Sequence, residues 1–248
     1  MATTSIADLD LEKEEASESI TPASSRAVGT YAGEATPDVQ GEITAADLRL
    51  PRLNIGQKVG DLGDQFSYGG VILAKEAELV AVGVPLHDIT VLKIRKQYQE
   101  KLKFDGDRTE APRTFETAKE VIEAGLSINF GDEGYCERIA HMLLLVPEVE
   151  GLDEDVMDSF FYHSFNGKRY CQTLFTAAGT QFTESGKSIL TAASKPDCTP
   201  PNGSIRVAKW NAWTIEKKGR GNKWWVLKVD RVGNNSPEFI EFTKTIAP

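Results

Sequence analysis

The chain has 248 residues, of which 40% are hydrophobic, and carries 28 Lys and Arg against 37 Asp and Glu. It is long enough to bury a core without disulfide or metal staples, and its formal charge of -9 disfavours, on average, a polyanionic partner. The average hides a gradient from ten acids and two bases in residues 1–48, through 21 and 13 in residues 49–160, to six and 13 in residues 161–248; local field, not net charge, decides where a polyanion lands.

Residues 1–47 are rich in Ser, Thr, Ala, Glu and Gly with one aromatic, Tyr31, and cannot offset their chain entropy by burial. They are expected to form a disordered acidic tail, with residues 48–248 as a single β-rich domain. That domain begins with RLPRLNIGQ, a short strand entered through Pro51. The glycines of GQKVGDLGDQFSYGG mark turns, since none of them fits a dinucleotide fingerprint or a P-loop. VILA, ELVAVGV and DITVLKIRKQYQEKLKF then read as strands. The last ends in Lys93, Arg95, Lys96 and Tyr98, a basic and aromatic stretch that is a candidate contact surface.

A helix is expected from Thr114 or Thr117 to about Ala124, because Thr117 and Glu120 are spaced as a capping box and Gly125 supplies a stop. YCERIAHMLLLVPE alternates and then turns wholly apolar, as a central strand does, and EVEGLDEDVMD reads as an acidic loop. FFYHSF and KRYCQTLF flank Asn166-Gly167, a tight hairpin turn that places Lys168, Arg169 and Tyr170 at its tip. Thr180 to Ala193 is expected to be helical, burying Phe182, Ile189 and Leu190. Its Gly186-Lys187-Ser188 is not a P-loop, because position 181 holds Gln. A proline-rich linker follows, and SPEFIEFTKTIAP closes the chain as a short helix or strand.

The most informative stretch lies between. All four tryptophans fall at 210, 213, 224 and 225, interleaved with Arg206, Lys209, Lys217, Lys218, Arg220, Lys223 and Lys228. Two alternating runs around GRGN form a β-hairpin. Period-2 alternation assigns Ile205, Val207, Trp213, Ile215, Trp225, Leu227 and Val229 to the core. It turns Arg206, Trp210, Trp224 and Lys228 outward. Indoles among cations are how single strands are held: bases stack on the rings while Lys and Arg track the phosphates.

The succession LPRLNIGQ, GDQFSYGGVIL, ELVAVGV into KIRKQYQE, NGKRYCQTLF, a small helix and a Trp-rich strand pair resembles a group of bacteriophage-encoded single-stranded-DNA-binding and replication-recombination accessory proteins. That resemblance spans residues 48–233 and implies an oligonucleotide-binding (OB)-type barrel or related sheet platform. Such proteins often carry an acidic tail at the C-terminus, whereas here it is N-terminal, which leaves any inherited partner contact open.

The expected fold is therefore α+β and mainly β: an OB-like barrel or antiparallel sheet with hairpins and one or two short helices. The expected function is binding of single-stranded DNA without sequence preference in replication or recombination, by Trp210, Trp224, Arg206, Lys209, Lys223, Lys228, Lys93, Arg95, Lys96, Tyr98, Lys168 and Arg169. RNA as ligand and self-association stay open, and the acidic tail is a candidate recruiter of replication or recombination proteins. The rival is a structural or assembly protein of the virion type. No cofactor and no catalysis are expected, since GxSxG and HExxH are absent. No metal is expected either, because Cys136, Cys171 and Cys198 lack the short paired spacings of zinc sites. With no signal-like or membrane-length apolar run, a cytoplasmic location is the simplest expectation.

Overall fold

A computed structural model describes residues 50–58, 62, 65–102, 111–198, 203–219 and 221–247. The expected tail at 1–47 and Arg220 lie outside the described residues. The architecture is mainly β with a few short helices. A small antiparallel sheet joins β1 (Leu53–Ile55), β2 (Val71–Leu73) and β3 (Ala77–Val80). The main sheet is built from β4 (Leu86–Glu100), β6 (Cys136–Pro147), β7 (His163–Phe165), β8 (Lys168–Ala178), β9 (Ala208–Gly219) and β10 (Asn222–Asn234), with β5 (Thr114–Phe115) beside β4. Its order is β10-β9-β4-β6-β8-β7, antiparallel throughout.

The long strand β4 organises this sheet. Its first part pairs with β9 (Leu86↔Ala212, Ile89↔Trp210), and from Thr90 onward it pairs with β6. Asp88 sits at the irregularity with φ 58°, its N–H donating to Asn211 Oδ1 at 3.2 Å. A bulge of this kind bends a strand and lets one sheet curl. The concave side holds the main core, including Ile89, Val91, Met142, Leu144, Val146, Phe175, Trp210 and Leu227. β6 is central, as its apolar run predicts, and a second apolar cluster forms where α5 (Pro237–Ile246) lays Phe239 and Phe242 against Phe165 and Tyr170.

The helices follow local signals. α1 (Ala118–Glu123) starts at the Thr117–Glu120 capping box, with Glu120 N–H donating to Thr117 Oγ1 at 3.2 Å and Thr117 Oγ1–H donating to Glu120 Oε1 at 2.9 Å. The expected acidic loop is instead partly α2 (Glu154–Phe160), whose N-cap is Asp153. Its acids fill the first turn, where carboxylates favour a helix, so FFYHSF contributes only His163–Phe165 as strand. The turn at Asn166 and Gly167 has φ 49° and 78°, matching the expected hairpin. A longer helix passes through α3 (Gly179–Gln181), a π-helical turn (Phe182–Gly186) and α4 (Lys187–Ala193), burying Phe182 and Ile189 as expected. Among the described residues no helix is long and apolar enough to cross a membrane.

The strands do not close into a barrel, since β10 and β7 end the order. A different device bridges the seam between β8 and β10. β1 lies along β8 through a parallel bridge, Arg52↔Leu174, and Leu174 N–H donates to Pro51 O at 2.8 Å. On the other side, two glutamines take the place of a neighbouring strand. Trp225 N–H donates to Gln57 Oε1 at 3.0 Å, and Gln57 Nε2 donates to Trp225 O at 2.8 Å. Leu227 N–H donates to Gln181 Oε1 at 2.8 Å, and Gln181 Nε2 donates to Leu227 O at 2.7 Å. Each side-chain amide thus satisfies one residue of the β10 edge.

Replacing Gln181 with Ala leaves that Leu227 pair without its partners, so it should cost about 1–3 kcal/mol. Urea unfolding measures the loss, and an unchanged midpoint would refute the clamp. A pH effect follows from His163, buried 4.5 Å from the Tyr162 ring with Nε2 unpartnered. Burial pushes its pKa down to about 4, only partly offset by a hydrogen bond with Gln172. A histidine depressed on folding is fully tolerated above its ordinary value near 6.5 and destabilises as pH falls from there to about 4. The expected loss across that window is about 3 kcal/mol, read as the difference between parent and His163→Gln in urea titrations at pH 7 and pH 4.

Candidate nucleic-acid interface

The Trp hairpin exists, but its first strand is phased differently from the simple alternation. Ile205–Val207 forms a 3-10 turn, capped by Ser204, so strand periodicity begins only at Ala208. Counting from there turns Ala208, Trp210, Ala212 and Thr214 inward. Trp210 is 2% exposed, in the core and not on the outer face. Trp213 is half-buried on the opposite face, with the Lys228 ammonium 5.1 Å from its ring centroid. On β10 the expected phase holds. Trp225 shares the face of Leu227 and Val229 and stacks on Tyr68, with centroids 6.1 Å apart. Gly69 makes room for it with φ 81°, and a Cβ there would lie 2.5 Å from the Trp225 ring. Trp224 faces the other way, half-buried and opposite Lys217.

Several expected contact residues are committed elsewhere. Arg206 is buried, donating from Nε to Leu92 O at 3.3 Å and from its guanidinium to Ala247 O, which ties the C-terminal helix to β4. Burial lowers its pKa, and it cannot reach a phosphate. Tyr98 is 5% exposed and unavailable for stacking, with the Lys96 ammonium 4.6 Å above its ring and donating to its hydroxyl at 3.0 Å. Arg169 is held by Glu148, Glu154 and Asp158, so the β7–β8 tip is not a cationic finger. Lys168 is half-buried beside it and Lys93 is exposed on β4. Lys209 lies 3.8 Å from Asp88, Arg95 pairs with Glu116, and Lys223 and Lys218 share Glu216 at 3.5 and 3.2 Å. The Lys218 ammonium, first among its neighbours, holds the Glu216 carboxyl below the usual carboxylate range.

Register assembles a different group. Arg95 on β4, His141 on β6 and Thr176 on β8 are successive cross-strand neighbours, on the convex side of the sheet away from the main core. Gln97 Nε2 donates to His141 Nε2 at 2.9 Å, which leaves Nδ1–H to donate to Thr176 Oγ1 at 3.2 Å. Burial, then the charges of Arg95 and Arg52, lower the His141 pKa, so this ring is neutral at pH 7. Thr176 opens onto a cleft of about 400 Å³ at the seam, where Asn54, Gln57, Thr180 and Gln181 face Trp224 and Trp225. Trp224 also walls an adjoining depression with Lys58, Asn222 and Lys223. The convex row and the two depressions therefore meet at one indole.

Sequence reasoning missed Thr176, Asn54 and Lys58, which line the depressions beside Trp224, and His141, which strand register sets next to Thr176. It also missed Phe130, 79% exposed in the connection between β4 and β6 and edge-on to Tyr135 at 5.6 Å. Its setting between Asn129 and Gly131 is a turn signal that could have drawn attention to it. Among the described residues no group of three or more His, Cys, Asp or Glu could hold a metal, and the three cysteines are free and buried. No family model, curated protein or solved structure matches the chain.

The corrected faces set an order of stabilities. Trp210→Ala should cost about 3–5 kcal/mol, as for a buried aromatic. Trp224→Ala should unfold within about 1.5 kcal/mol of the parent, consistent with its half-buried position. Chemical denaturation of the two variants checks the assignment, and equal losses would overturn it.

Proposed function

We propose that the chain binds single-stranded DNA without sequence preference, across the convex face of β6 and β8 and the seam beside it. The observation that carries this reading is Trp224, a half-buried indole at the junction of two depressions, with Lys58 and Lys223 beside it. A base stacked on such a ring contributes about 1–3 kcal/mol. Connectivity supports an OB-type barrel as the platform. In chain order β4, β6 and β8 form a meander, the α3–α4 helix follows, and β9 returns to pair with β4 and with β10. Partly open five-stranded barrels of this kind bind oligonucleotides across their second and third strands and between the loops joining strands one to two and four to five. Here those strands are β6 and β8. The corresponding connections are the one leading from β4 to β6, which carries Phe130, and the β9–β10 turn, next to Lys218, Lys223 and Trp224.

Ion pairing decides which cations serve. Arg95–Glu116 and Lys223–Glu216 are exposed pairs, and such pairs are worth only about 0–1 kcal/mol. A phosphate can therefore draw Arg95 or Lys223 away from its carboxylate at little cost, and Lys93 and Lys58 are exposed on the same protein. Under this reading replication or recombination of phage type is the context, and the acidic residues 1–47 recruit partner proteins. A second reading, a structural or assembly protein, draws on the same pairing: most of the basic residues of the hairpin are already neutralised within the chain.

Tryptophan-fluorescence titration separates the two. An oligothymidylate should bind more tightly than a duplex of equal length, with log K falling against log salt by about 0.7 per phosphate contacted. Trp224→Ala should weaken binding by roughly five- to one-hundred-fold, the equivalent of about 1–3 kcal/mol, and leave that slope nearly unchanged. Absence of single-strand binding by the parent would favour the assembly reading.

A further inference from the structure

On the other side of the α3–α4 helix lies a depression of about 380 Å³, between that helix and the C-terminal half of β10. Thr183, Lys187 and Thr191 follow one another at four-residue intervals along its helical wall, and Lys195 lies just past the end of α4. Residues so spaced share one face of a helix. Ser188 joins them, which places the Gly186-Lys187-Ser188 segment at a site unrelated to P-loop geometry. The strand wall supplies Arg231, whose guanidinium is oriented by an ion pair with Asp197 and by Asn234 Oδ1 at 2.6 Å. Lys187, Lys195 and Arg231 stand against Asp230 in the lining and against Asp197, which pairs with Arg231 at its edge. Trp210 completes the wall, and its buried indole N–H has no acceptor among the described residues.

We propose that this depression is a binding site for a phosphate group. Lys187 and Lys195 on the helix side and the oriented Arg231 guanidinium on the strand side line one depression, and several cations around one site suit a multiply charged oxyanion better than a singly charged one. Lys187 and Lys195 act as point charges, Arg231 offers directed N–H donors, and hydroxyls supply the remaining polar surface. Trp210 lies at the base of the depression, so its indole N–H is a close reporter of anything bound there. The site does not depend on the Trp224 face, because no residue is shared between the two linings. The phosphate can belong to a strand passing round the domain or to a free phosphorylated compound, and the chemistry at the depression is the same.

The test follows the indole N–H resonances of the full-length ¹⁵N-labelled protein, with Trp210 assigned by elimination using Trp213, Trp224 and Trp225 variants. At constant ionic strength, pyrophosphate should move the Trp210 resonance saturably. Lys187→Ala combined with Lys195→Ala should weaken that response at least ten-fold, while circular dichroism and the Trp224 resonance stay as in the parent. If decathymidylate moves Trp210 as well, the ligand is a strand phosphate; if only pyrophosphate does, it is a free phosphorylated compound. Either result supports the site. Silence from both probes, an equal shift with sodium chloride, or undiminished binding by the double variant overturns it. Decathymidylate acting on Trp224 with Trp210 silent would end this proposal alone and leave the outer-face reading standing.

Discussion

Two glutamine amides hold the curled sheet shut. A sheet of this curvature brings β10 toward β8, but the strands stop short of pairing, and an open edge presents unpaired backbone groups that invite other chains. Gln57 and Gln181 satisfy that edge one residue each, at Trp225 and Leu227, and β1 fills the space along β8. The arrangement does more than seal. Because side chains span the gap instead of a continuous ladder, the seam keeps a cleft, and Trp224 stands at its rim. The candidate interface is thus a by-product of how the sheet ends are joined.

A basic final third does not become a basic face. Lys217 closes onto Glu184, Lys209 onto Asp88, Arg231 onto Asp197, and Lys218 and Lys223 onto Glu216. Charge counted along the chain says nothing of which carboxylates the fold will lay beside it. What remains useful to a polyanion is set by exposure. An exposed pair yields its cation cheaply, whereas Arg206, desolvated and tied to two carbonyls, is structural whatever its charge.

Local grammar was legible in the sequence. The capping box at Thr117, the Asn166-Gly167 turn, the apolar central strand at Cys136–Pro147 and the Trp hairpin all rest on contacts close in the chain, and each appears where its residues place it. The faces of β9 were misread for one reason: Ile205–Val207 looks extended by alternation yet turns as a 3-10 segment, shifting the phase of every residue after it. On β10, where no turn intervenes, the phase was right. The convex row of Arg95, His141 and Thr176 was not legible at all, because register between β4 and β6 depends on the irregularity between Val91 and Lys93 and on core packing, neither of which leaves a periodic mark.

The two glutamine clamps differ in how far the chain must travel to make them. Gln181 and Leu227 are 46 positions apart, Gln57 and Trp225 are 168. Loop-closure entropy rises with the logarithm of that separation, and long-range contacts form late. The expected order of assembly is therefore β4 to β10 with the Gln181 clamp first, and β1 with the Gln57 clamp last, an order that pulse-labelled amide exchange at Leu227 and Trp225 reads directly. On this expectation the rim of the cleft is the most recent piece of structure the protein acquires, and the piece it can most readily give up without unfolding the rest.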